Sequence, residues 1–301
     1  MYSGFPVKFI SLLKCPHDGG MLQVLKSNAD VKPAGHINDG SVECESCKRI
    51  YRICEGIISF IDDALMDEKS SKEKHLRDER AVVHEPTAQW ELENIMEMYP
   101  TIEMLKPSRN EILLELGCGT GRYTLALESA YSGILAVDFS RESLRKLSSK
   151  LAAPSPVGLV HADIFHFEVA SEQFDTVFAT LSRKAMYRVA ASALKENGKF
   201  VFSVEHYTLR EFVYNVPKSG YYEEVEFYRF LYTRGEIRRE TRNYFCTVQT
   251  RTINVVMPFS FRLRVPVLLV GLSFIMSYIP VLSSLGRLML VEARNPIRMT
   301  G

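Results

Sequence analysis

Three glycines at alternate positions could form a tight turn that holds a ligand against the main chain. Gly117, Gly119 and Gly121 lie in ELGCGTGRYT, residues 115–124, between an apolar run and a helical pattern. Glycine permits left-handed backbone angles and close ligand approach, and a helix N-terminus attracts an anion. Asp138 ends the next apolar run, where a carboxylate can accept both hydroxyls of a ribose. The glycine turn and Asp138 together predict a nucleotide-type cofactor. The glycine spacing, G-x-G-x-G, differs from the dinucleotide fingerprint G-x-G-x-x-G.

Two cysteine-bearing knuckles near the N-terminus have the spacing of metal ligands. CESC, residues 44–47, supplies a C-x-x-C pair, and CPHDGG, residues 15–20, supplies one cysteine. A ribbon that holds zinc needs four ligands, and Asp18 or the neighbouring His17 could complete the tetrahedron. A metal-free version of the same fold is the alternative. The predicted zinc ligands are Cys15, Asp18, Cys44 and Cys47.

The elements that must position the glycine turn are short apolar runs that alternate with helical patterns. Helical spacing covers Arg141–Leu151 and Lys184–Leu194. Strands that alternate with helices predict βαβ units and a doubly wound α/β sheet. The predicted buried strands are Ile112–Leu116, Ile134–Val137, Gly158–His161, Thr176–Ala179 and Phe200–Val204.

Composition divides the chain into three blocks. Residues 1–62 hold the clustered cysteines and form the predicted zinc-ribbon-like module. Residues 63–107 begin with a charged, polar stretch and are predicted to be a linker with a helical cap. Residues 108–301 carry the alternating pattern and form the predicted catalytic domain.

With these motifs in place, the chain resembles the class I S-adenosylmethionine-dependent methyltransferases, particularly the group of ubiquinone-biosynthesis-type enzymes. The resemblance covers roughly residues 110–205 and includes HADIF (161–165), FDTVFATL (174–181) and LKENGKFVFS (194–203). It implies a mostly parallel, seven-stranded Rossmann-like sheet and S-adenosyl-L-methionine as cofactor. The implied cofactor-binding positions are Glu115 at the start of the first motif, Gly117, Gly119 and Gly121 along the methionine portion, Asp138 at the ribose, and Phe139, Asp163 and Ile164 around the adenine.

The N-terminal block resembles the small zinc-binding activator subunits of tRNA and release-factor methyltransferases. It is also similar to the ribbon fused to a bacterial rRNA guanine methyltransferase. The similarity spans about sixty residues, up to Glu55-Gly56-Ile57. The fourth cysteine of the pattern is missing, since Asp18 stands in its place.

The overall composition is that of an ordinary folded protein, with 46% hydrophobic and 24% charged residues. A formal net charge of +1 gives no case for nucleic acid as the main partner, so DNA is not expected and RNA is not favoured. Cysteines at ligand-like spacing fit a reducing compartment, and the first residues do not read as a signal peptide. A cytoplasmic location is therefore expected.

Clues to the methyl acceptor lie after the fifth strand. His206 follows that strand directly and could act as a catalytic base or serve in packing. Residues 206–232 are rich in tyrosine and phenylalanine, which suits an aromatic or amphipathic small molecule and equally suits a packed sheet. Eight arginines fall between residues 229 and 264, with glutamates interleaved.

The uncharged run from Val265 to Gly286 is interrupted by prolines and by Gly271. It is interpreted as a buried amphipathic helix that ends near Pro280, followed by a strand over Leu288–Ala293. Association with a membrane surface is the alternative.

Three functions fit this sequence. The leading hypothesis is a methyltransferase that acts on a small apolar or aromatic metabolite or a lipid-like acceptor. An RNA base methyltransferase is the second, suggested by the ribbon and the arginines. A non-catalytic partner protein that docks through its N-terminal module is the third.

Overall fold

The computed structural model describes most of the chain in two units. The first comprises Met1–His84, Pro107–Ala179 and Lys184–Gly198, and the second comprises Glu85–Lys106, Thr180–Arg183 and Lys199–Gly301. The described residues are 2–25, 35–61, 78–79, 88–181, 184–222, 225–255, 271–272, 275–276 and 278–298.

The N-terminal part of the first unit consists of short strands and one 3₁₀ helix, Val7–Leu12. Short strands suit a segment this small, which has few apolar residues to bury. The strands are β1 (Phe5–Pro6), β2 (Leu22–Val24), β3 (His36–Ile37), β4 (Gly40–Cys44), β5 (Ile50–Cys54) and β6 (Ile57–Ser59).

The rest of the first unit alternates strands with helices, as the apolar pattern predicts. Every residue of the second and third strands in this part is buried, which is typical of parallel strands covered on both faces. The elements are β7 (Ile112–Leu116), α2 (Arg122–Leu127), β8 (Gly133–Asp138), α3 (Arg141–Lys150), β9 (Val157–His161), β10 (Phe174–Ala179) and α4 (Lys184–Ala193), while α1 (Ala88–Leu105) belongs to the second unit.

One sheet joins both parts of the first unit. Its strand order is β10-β7-β8-β9-β6-β5-β4-β2, and the first five strands run parallel. β6 pairs with β9 through Ile57 to Leu159, Ile58 to Val160 and Ser59 to His161. The antiparallel strands β5, β4 and β2 then extend the sheet. The cysteine-bearing strands therefore continue the sheet that carries the glycine turn.

The first residues of the chain pack on this same sheet. The Tyr2 hydroxyl donates to the carbonyl oxygen of Val157 at 2.7 Å, and Phe9 is buried. Gly133 and Gly158 leave room for Phe9, because a Cβ at either position would lie within 2.8 Å of its ring. The division of the sequence near residues 62 and 107 remains a prediction, and the contacts divide the chain differently.

The second unit is built on a mixed sheet. Residues 199–205 of β11 (Leu194–His206) pair antiparallel with β15 (Leu288–Pro296), which also pairs with β14 (Phe245–Ile253). The remaining elements are α5 (Leu209–Val213), β12 (Ser219–Tyr222), β13 (Val225–Tyr232), α6 (Arg234–Thr241) and α7 (Pro280–Ser283). Sheets with flanking helices confirm the predicted α/β class.

The interpretation of a buried helix before Pro280 is wrong for the residues that the structure describes there. Leu272, Ile275, Tyr278 and Ile279 are exposed, and a short helix begins at Pro280. The prediction of burial rested on hydrophobicity alone, and an apolar side chain can lie on the surface as well as in the core. No helix among the described residues combines the length and apolar character needed to cross a membrane.

Candidate functional site

The glycine turn connects the end of β7 to the start of α2. Its backbone is anchored on the neighbouring strand, because the N–H groups of Gly117 and Cys118 both donate to the carbonyl oxygen of Val137, at 2.8 and 3.0 Å. Gly117, Gly119 and Gly121 all have positive φ, at 78°, 54° and 91°. The turn is therefore a fixed loop at the carboxyl edge of the parallel strands.

The glycines of this turn serve two different purposes. A Cβ added at Gly117 or Gly119 would meet no heavy atom within 4 Å, so open space faces the backbone at both positions. A Cβ at Gly121 would collide with the side chain of Leu147 on α3. Gly121 is thus required for packing, whereas Gly117 and Gly119 border open space that a ligand could approach.

Asp138, at the end of β8, points towards this turn. Its Oδ2 accepts a hydrogen bond from the Gly119 N–H at 2.7 Å, and its Oδ1 accepts one from the Ser140 N–H at 2.8 Å. The residue is 6% exposed. The carboxylate and the turn therefore lie in direct contact, although Gly119 and Asp138 are nineteen positions apart in sequence.

Glu115 lies beneath the turn, on β7. Its side chain is buried, and its Oε2 accepts a hydrogen bond from the Thr124 hydroxyl at 2.7 Å. Burial raises the pKa of Glu115 to about 8, and the nearby charge of Asp138 acts in the same direction. Glu115 is consequently protonated at neutral pH, while its hydrogen bond ties the first turn of α2 to β7.

The other predicted cofactor residues follow the adjacent strands. Phe139 comes directly after β8, and Asp163 and Ile164 come just after β9; all three are half-buried. β8 and β9 run parallel with Asp138 beside His161, so their carboxyl ends lie at one edge. Asp163 accepts from the Phe165 N–H at 3.0 Å and contacts His166 Nδ1 at 3.0 Å.

Two further residues at this edge, Ser140 and His161, were not predicted as site residues. The Ser140 hydroxyl donates to Asp78, and Ser140 also caps α3 by accepting from the Ser143 N–H. His161 Nδ1 lies 2.9 Å from the hydroxyl of Ser59, at the end of β6. A cap signal at Ser140 is readable in the sequence. The contacts with Asp78 and Ser59 span more than sixty positions and left no local pattern.

The four predicted metal ligands converge. One donor atom from each of Cys15, Asp18, Cys44 and Cys47 lies within 4.8 Å of all the others. The sulfurs of Cys15 and Cys47 are 3.7 Å apart, and the Cys44 sulfur is 3.3 Å from Asp18 Oδ1. Zinc–sulfur bonds of about 2.3 Å in a tetrahedron place two sulfurs about 3.8 Å apart. The donor set and its spacing therefore fit zinc.

The backbone around the cluster also fits a metal site. Gly20 permits the close approach, because a Cβ there would lie 2.7 Å from the Cys44 sulfur. The Gly20 N–H donates to Asp18 Oδ1 at 3.0 Å, and this bond, followed by one to Cys15, lowers the pKa of Asp18 to about 2. The Tyr51 hydroxyl lies 3.0 Å from the Cys15 sulfur. His17, the other predicted candidate, is exposed and is not a member of the described cluster.

His206, the predicted catalytic base, lies in the second unit at the end of β11. It is 7% exposed, and its Nδ1 lies 2.8 Å from the carbonyl oxygen of Gly286. Because a carbonyl only accepts, Nδ1 carries the proton, and Nε2 has the free lone pair. Burial lowers the pKa of His206, which favours this neutral form.

Comparisons with known proteins agree with the geometry of the turn. A family model described as methyltransferase domain matches residues 113–198. No curated protein sequence matches this chain.

Solved structures show the same fold. A candidate S-adenosylmethionine-dependent methyltransferase from Listeria monocytogenes is 17% identical, with 69% of this chain and 99% of that chain covered at a TM-score of 0.50. A methyltransferase from Thermotoga maritima is 13% identical, with 74% and 99% covered and a TM-score of 0.50.

Phosphoethanolamine N-methyltransferase 1 from Haemonchus contortus, solved with phosphoethanolamine and S-adenosylhomocysteine, is 13% identical. The match covers 80% of this chain and 52% of that chain at a TM-score of 0.51, so this chain aligns with about half of that protein. These likenesses establish the fold. The family match assigns a methyltransferase domain to residues 113–198, which agrees with the enzyme class that the sequence predicts.

Proposed function

We propose that this protein transfers a methyl group from S-adenosylmethionine to a small apolar or aromatic metabolite or a lipid-like acceptor. The observation that carries the proposal is the hydrogen bond from the Gly119 N–H to Asp138 Oδ2, at 2.7 Å. It brings an acidic side chain into direct contact with the glycine turn. A cofactor with a ribose next to an amino-acid tail needs such a pair of neighbouring features.

The roles of the individual residues follow from where they lie. Asp138 would hold the ribose hydroxyls, and the open backbone at Gly117 and Gly119 would receive the methionine portion. Phe139 and the Asp163–Ile164 pair would enclose the adenine, since they follow the two adjacent strands. The cofactor supplies an electrophilic methyl group on a sulfonium, so the protein needs chiefly to orient the acceptor and exclude water.

His206 is the proposed base where the acceptor must lose a proton. Its Nδ1–H is held by the Gly286 carbonyl, so Nε2 is the atom that would accept the proton. A neutral imidazole is required for this role, and burial favours it. The exposed aromatic side chains of Phe212, Tyr214 and Phe230, in the segment after β11, support an apolar acceptor.

Binding of S-adenosylhomocysteine, measured by calorimetry, tests the cofactor site. Asp138→Ala should weaken binding roughly a hundredfold, because two charge-assisted hydrogen bonds are lost. Asp175→Ala is the matched control. Asp175 Oδ2 also accepts a backbone N–H, from Ile112 at 2.9 Å, but it lies near the start of β10, at the opposite edge of the sheet. Unchanged affinity in Asp138→Ala, or an equal loss in the control, would remove the proposed ribose contact.

The acceptor class can be found with a labelled methyl group. Labelled S-adenosylmethionine is incubated with the protein and fractionated cell extract, and the label is followed into organic-soluble material, RNA or protein. The proposal expects label in the organic-soluble fraction. Label in RNA, together with a steep fall of RNA affinity with salt, would favour the RNA base methyltransferase instead.

We further propose that Cys15, Asp18, Cys44 and Cys47 hold one structural zinc ion. A set of four protein ligands, as the described residues supply here, fits a closed, structural site rather than a catalytic one. Asp18→Ala should lower zinc affinity by more than tenfold, whereas His17→Ala, one position away, should leave it unchanged. Competition with a chromogenic chelator measures both. Equal loss in the two variants would exclude Asp18 as the specific fourth ligand.

A further inference from the structure

Two parallel strands of the second unit bring His206 and Arg234 to the same edge. β11 pairs with β13 so that His206 lies beside Tyr232, and the Tyr207 N–H donates to the Tyr232 carbonyl oxygen at 2.9 Å. Arg234 follows two positions after Tyr232, at the start of α6. Burial and, to a lesser extent, the charge of Arg234 lower the pKa of His206, so the two side chains are neighbours.

The Arg234 guanidinium is held by two buried hydroxyls. Its Nη2 donates to Thr252 Oγ1 and to Ser283 Oγ, each at 2.9 Å. The Thr252 hydroxyl gives its own proton to the Ser283 carbonyl oxygen, so it can only accept from Arg234. The same carbonyl oxygen accepts from the Gly286 N–H, and the Gly286 carbonyl oxygen contacts His206 Nδ1. The guanidinium and the imidazole are therefore both fixed against the loop that follows α7.

The positive charge of Arg234 has no carboxylate partner among the residues that the structure describes. Glu236, two positions away, closes the cap of α6 and pairs with Lys218 at 2.5 Å. Glu211, which also lies near His206, is used in the capping box of α5. The N–H groups on Nε and Nη1 of Arg234 donate to no described residue. A half-buried guanidinium of this kind can bind an oxyanion without breaking its existing bonds.

A second polar group at this edge is left without a partner by the described part of the chain. Asn254 directly follows β14 and is 6% exposed, and its Oδ1 accepts no hydrogen bond there. Its carbonyl oxygen accepts from the Arg287 N–H, and the Arg287 carbonyl oxygen accepts from the His206 N–H. Buried polar atoms usually bond to water or to a ligand when the protein supplies no partner. Asn254 is thus an independent sign that this edge receives a polar molecule.

We propose that Arg234 binds an anionic group, a carboxylate or a phosphate, of the methyl acceptor beside His206. This inference rests on the proposed function, and it narrows the acceptor to an apolar or aromatic compound that carries an oxyanion. The oxyanion supplies the counter-charge that the described acids do not supply. Because Thr252 and Ser283 orient the guanidinium before the acceptor arrives, little side-chain freedom is lost on binding. Arg234 thus selects the acceptor.

Three small probes test this site: phenyl phosphate, benzoate and uncharged benzamide. Calorimetry measures the affinity of each probe for the full chain saturated with S-adenosylhomocysteine. At least one anionic probe should bind about tenfold or more tightly than benzamide, because charge-assisted hydrogen bonds are the stronger ones. Tighter binding of phenyl phosphate would identify a phosphate ester as the acceptor, and tighter binding of benzoate would identify a carboxylic acid.

Substitution of Arg234 should remove this preference. Arg234→Gln should bind the anionic probe no more tightly than benzamide, and Arg234→Lys should keep part of the preference because it keeps the charge. Arg238→Gln is the matched control. Arg238 lies one turn further along α6 and likewise donates from Nη2 to a threonine hydroxyl of β14, that of Thr250 at 3.0 Å, but it is exposed. This control should bind all three probes as the wild type does.

The outcomes separate the anion site from methyl transfer. A wild type that does not bind S-adenosylhomocysteine would defeat the proposed function itself. A wild type that binds S-adenosylhomocysteine but binds no probe, or binds all three alike, would overturn the anion site alone. An equal loss in Arg238→Gln and Arg234→Gln would also overturn it. Circular dichroism shows whether each variant is folded, and the comparison of probes on the wild type decides even if Arg234→Gln unfolds.

Discussion

The cysteine cluster and the glycine turn belong to one sheet, yet they are constructed in opposite ways. The cluster consists of side chains: four donor atoms from two knuckles come within 4.8 Å of one another. The turn consists of backbone: three residues without side chains at positive φ and open space in front of two of them. The first arrangement needs particular functional groups. The second needs their absence, with one carboxylate added from the next strand.

This difference predicts two kinds of sensitivity. Removing one thiol deletes a ligand, and a structural metal site then loses both the ion and the folding energy that the ion provides. Adding one methyl group to the turn deletes nothing, but it introduces strain or fills the space for a ligand. Four sets of variants separate these effects.

The largest effect is expected from Cys44→Ser. Cys44 is fully buried at the end of β4, and loss of its thiolate should lower zinc affinity by more than about a hundredfold. The variant should also unfold at a lower temperature, since β4 is part of the same sheet as β9. Cys54→Ser is the control, because Cys54 is exposed and outside the cluster. Elemental analysis measures the zinc content of the two variants, and thermal unfolding measures their stability. Full zinc content in Cys44→Ser would exclude it as a ligand.

Alanine at two glycines of the turn should separate packing from binding. Gly121→Ala should cost roughly 2–5 kcal/mol of unfolding free energy, because its Cβ meets Leu147 and its φ is positive. Gly117→Ala should cost only about 1–2 kcal/mol, from φ alone, yet weaken binding of S-adenosylhomocysteine. Urea unfolding and calorimetry compare the two. If Gly117→Ala bound S-adenosylhomocysteine as tightly as the wild type does, Gly117 would have no role in binding.

An effect of another kind, a dependence of stability on pH, should arise from Glu115. Its folded pKa, about 8, lies above the unfolded value of about 4.3. Its contribution to stability is therefore complete below about pH 4.3 and is lost as pH rises through 8, by about 1.4 kcal/mol per unit of pKa difference. Glu115→Gln should lack this loss. Urea unfolding between acidic and mildly alkaline pH measures the difference, and parallel curves would contradict the raised pKa.

The smallest effect is expected from Tyr51→Phe. The Tyr51 hydroxyl lies 3.0 Å from the Cys15 sulfur and would support that ligand from outside the coordination shell. Its loss should lower zinc affinity by about tenfold and leave the binding of S-adenosylhomocysteine unchanged. Chelator competition measures the change. A loss as large as that of Cys44→Ser would mean that Tyr51 supports the fold of the knuckles.

The parts of the molecule that could be predicted from the sequence are those that depend on residues close together in the chain. The buried runs at β7 to β10 were readable, because each is a short apolar segment between turn residues. The closeness of the glycine turn to Asp138 was predictable, because strand ends in a parallel sheet share an edge. Burial before Pro280 was predicted wrongly, since Ile275 and Ile279 have the same hydropathy whichever way they face.

Contacts between distant segments were not readable. The pairing of Ile57 with Leu159 and the contact between Ser59 and His161 depend on register between segments about a hundred positions apart. The spacing of Cys44 and Cys47 indicated a candidate pair of metal ligands. The choice between His17 and Asp18 depended on which of the two side chains the loop after Cys15 directs towards that pair. Such choices are made by tertiary packing, which a single sequence does not display.

The parallel pairing of β6 with β9 has a consequence for how the protein is made. During synthesis β6 leaves the ribosome about a hundred residues before its partner, which at about 5–20 residues per second is a delay of roughly 5–20 s. Until then β6, which pairs with β5 along one edge, exposes its other edge, a template for wrong pairing with other chains. Early capture of a metal ion would hold the hairpin closed over that interval, so metal supply during growth should influence the yield of folded protein.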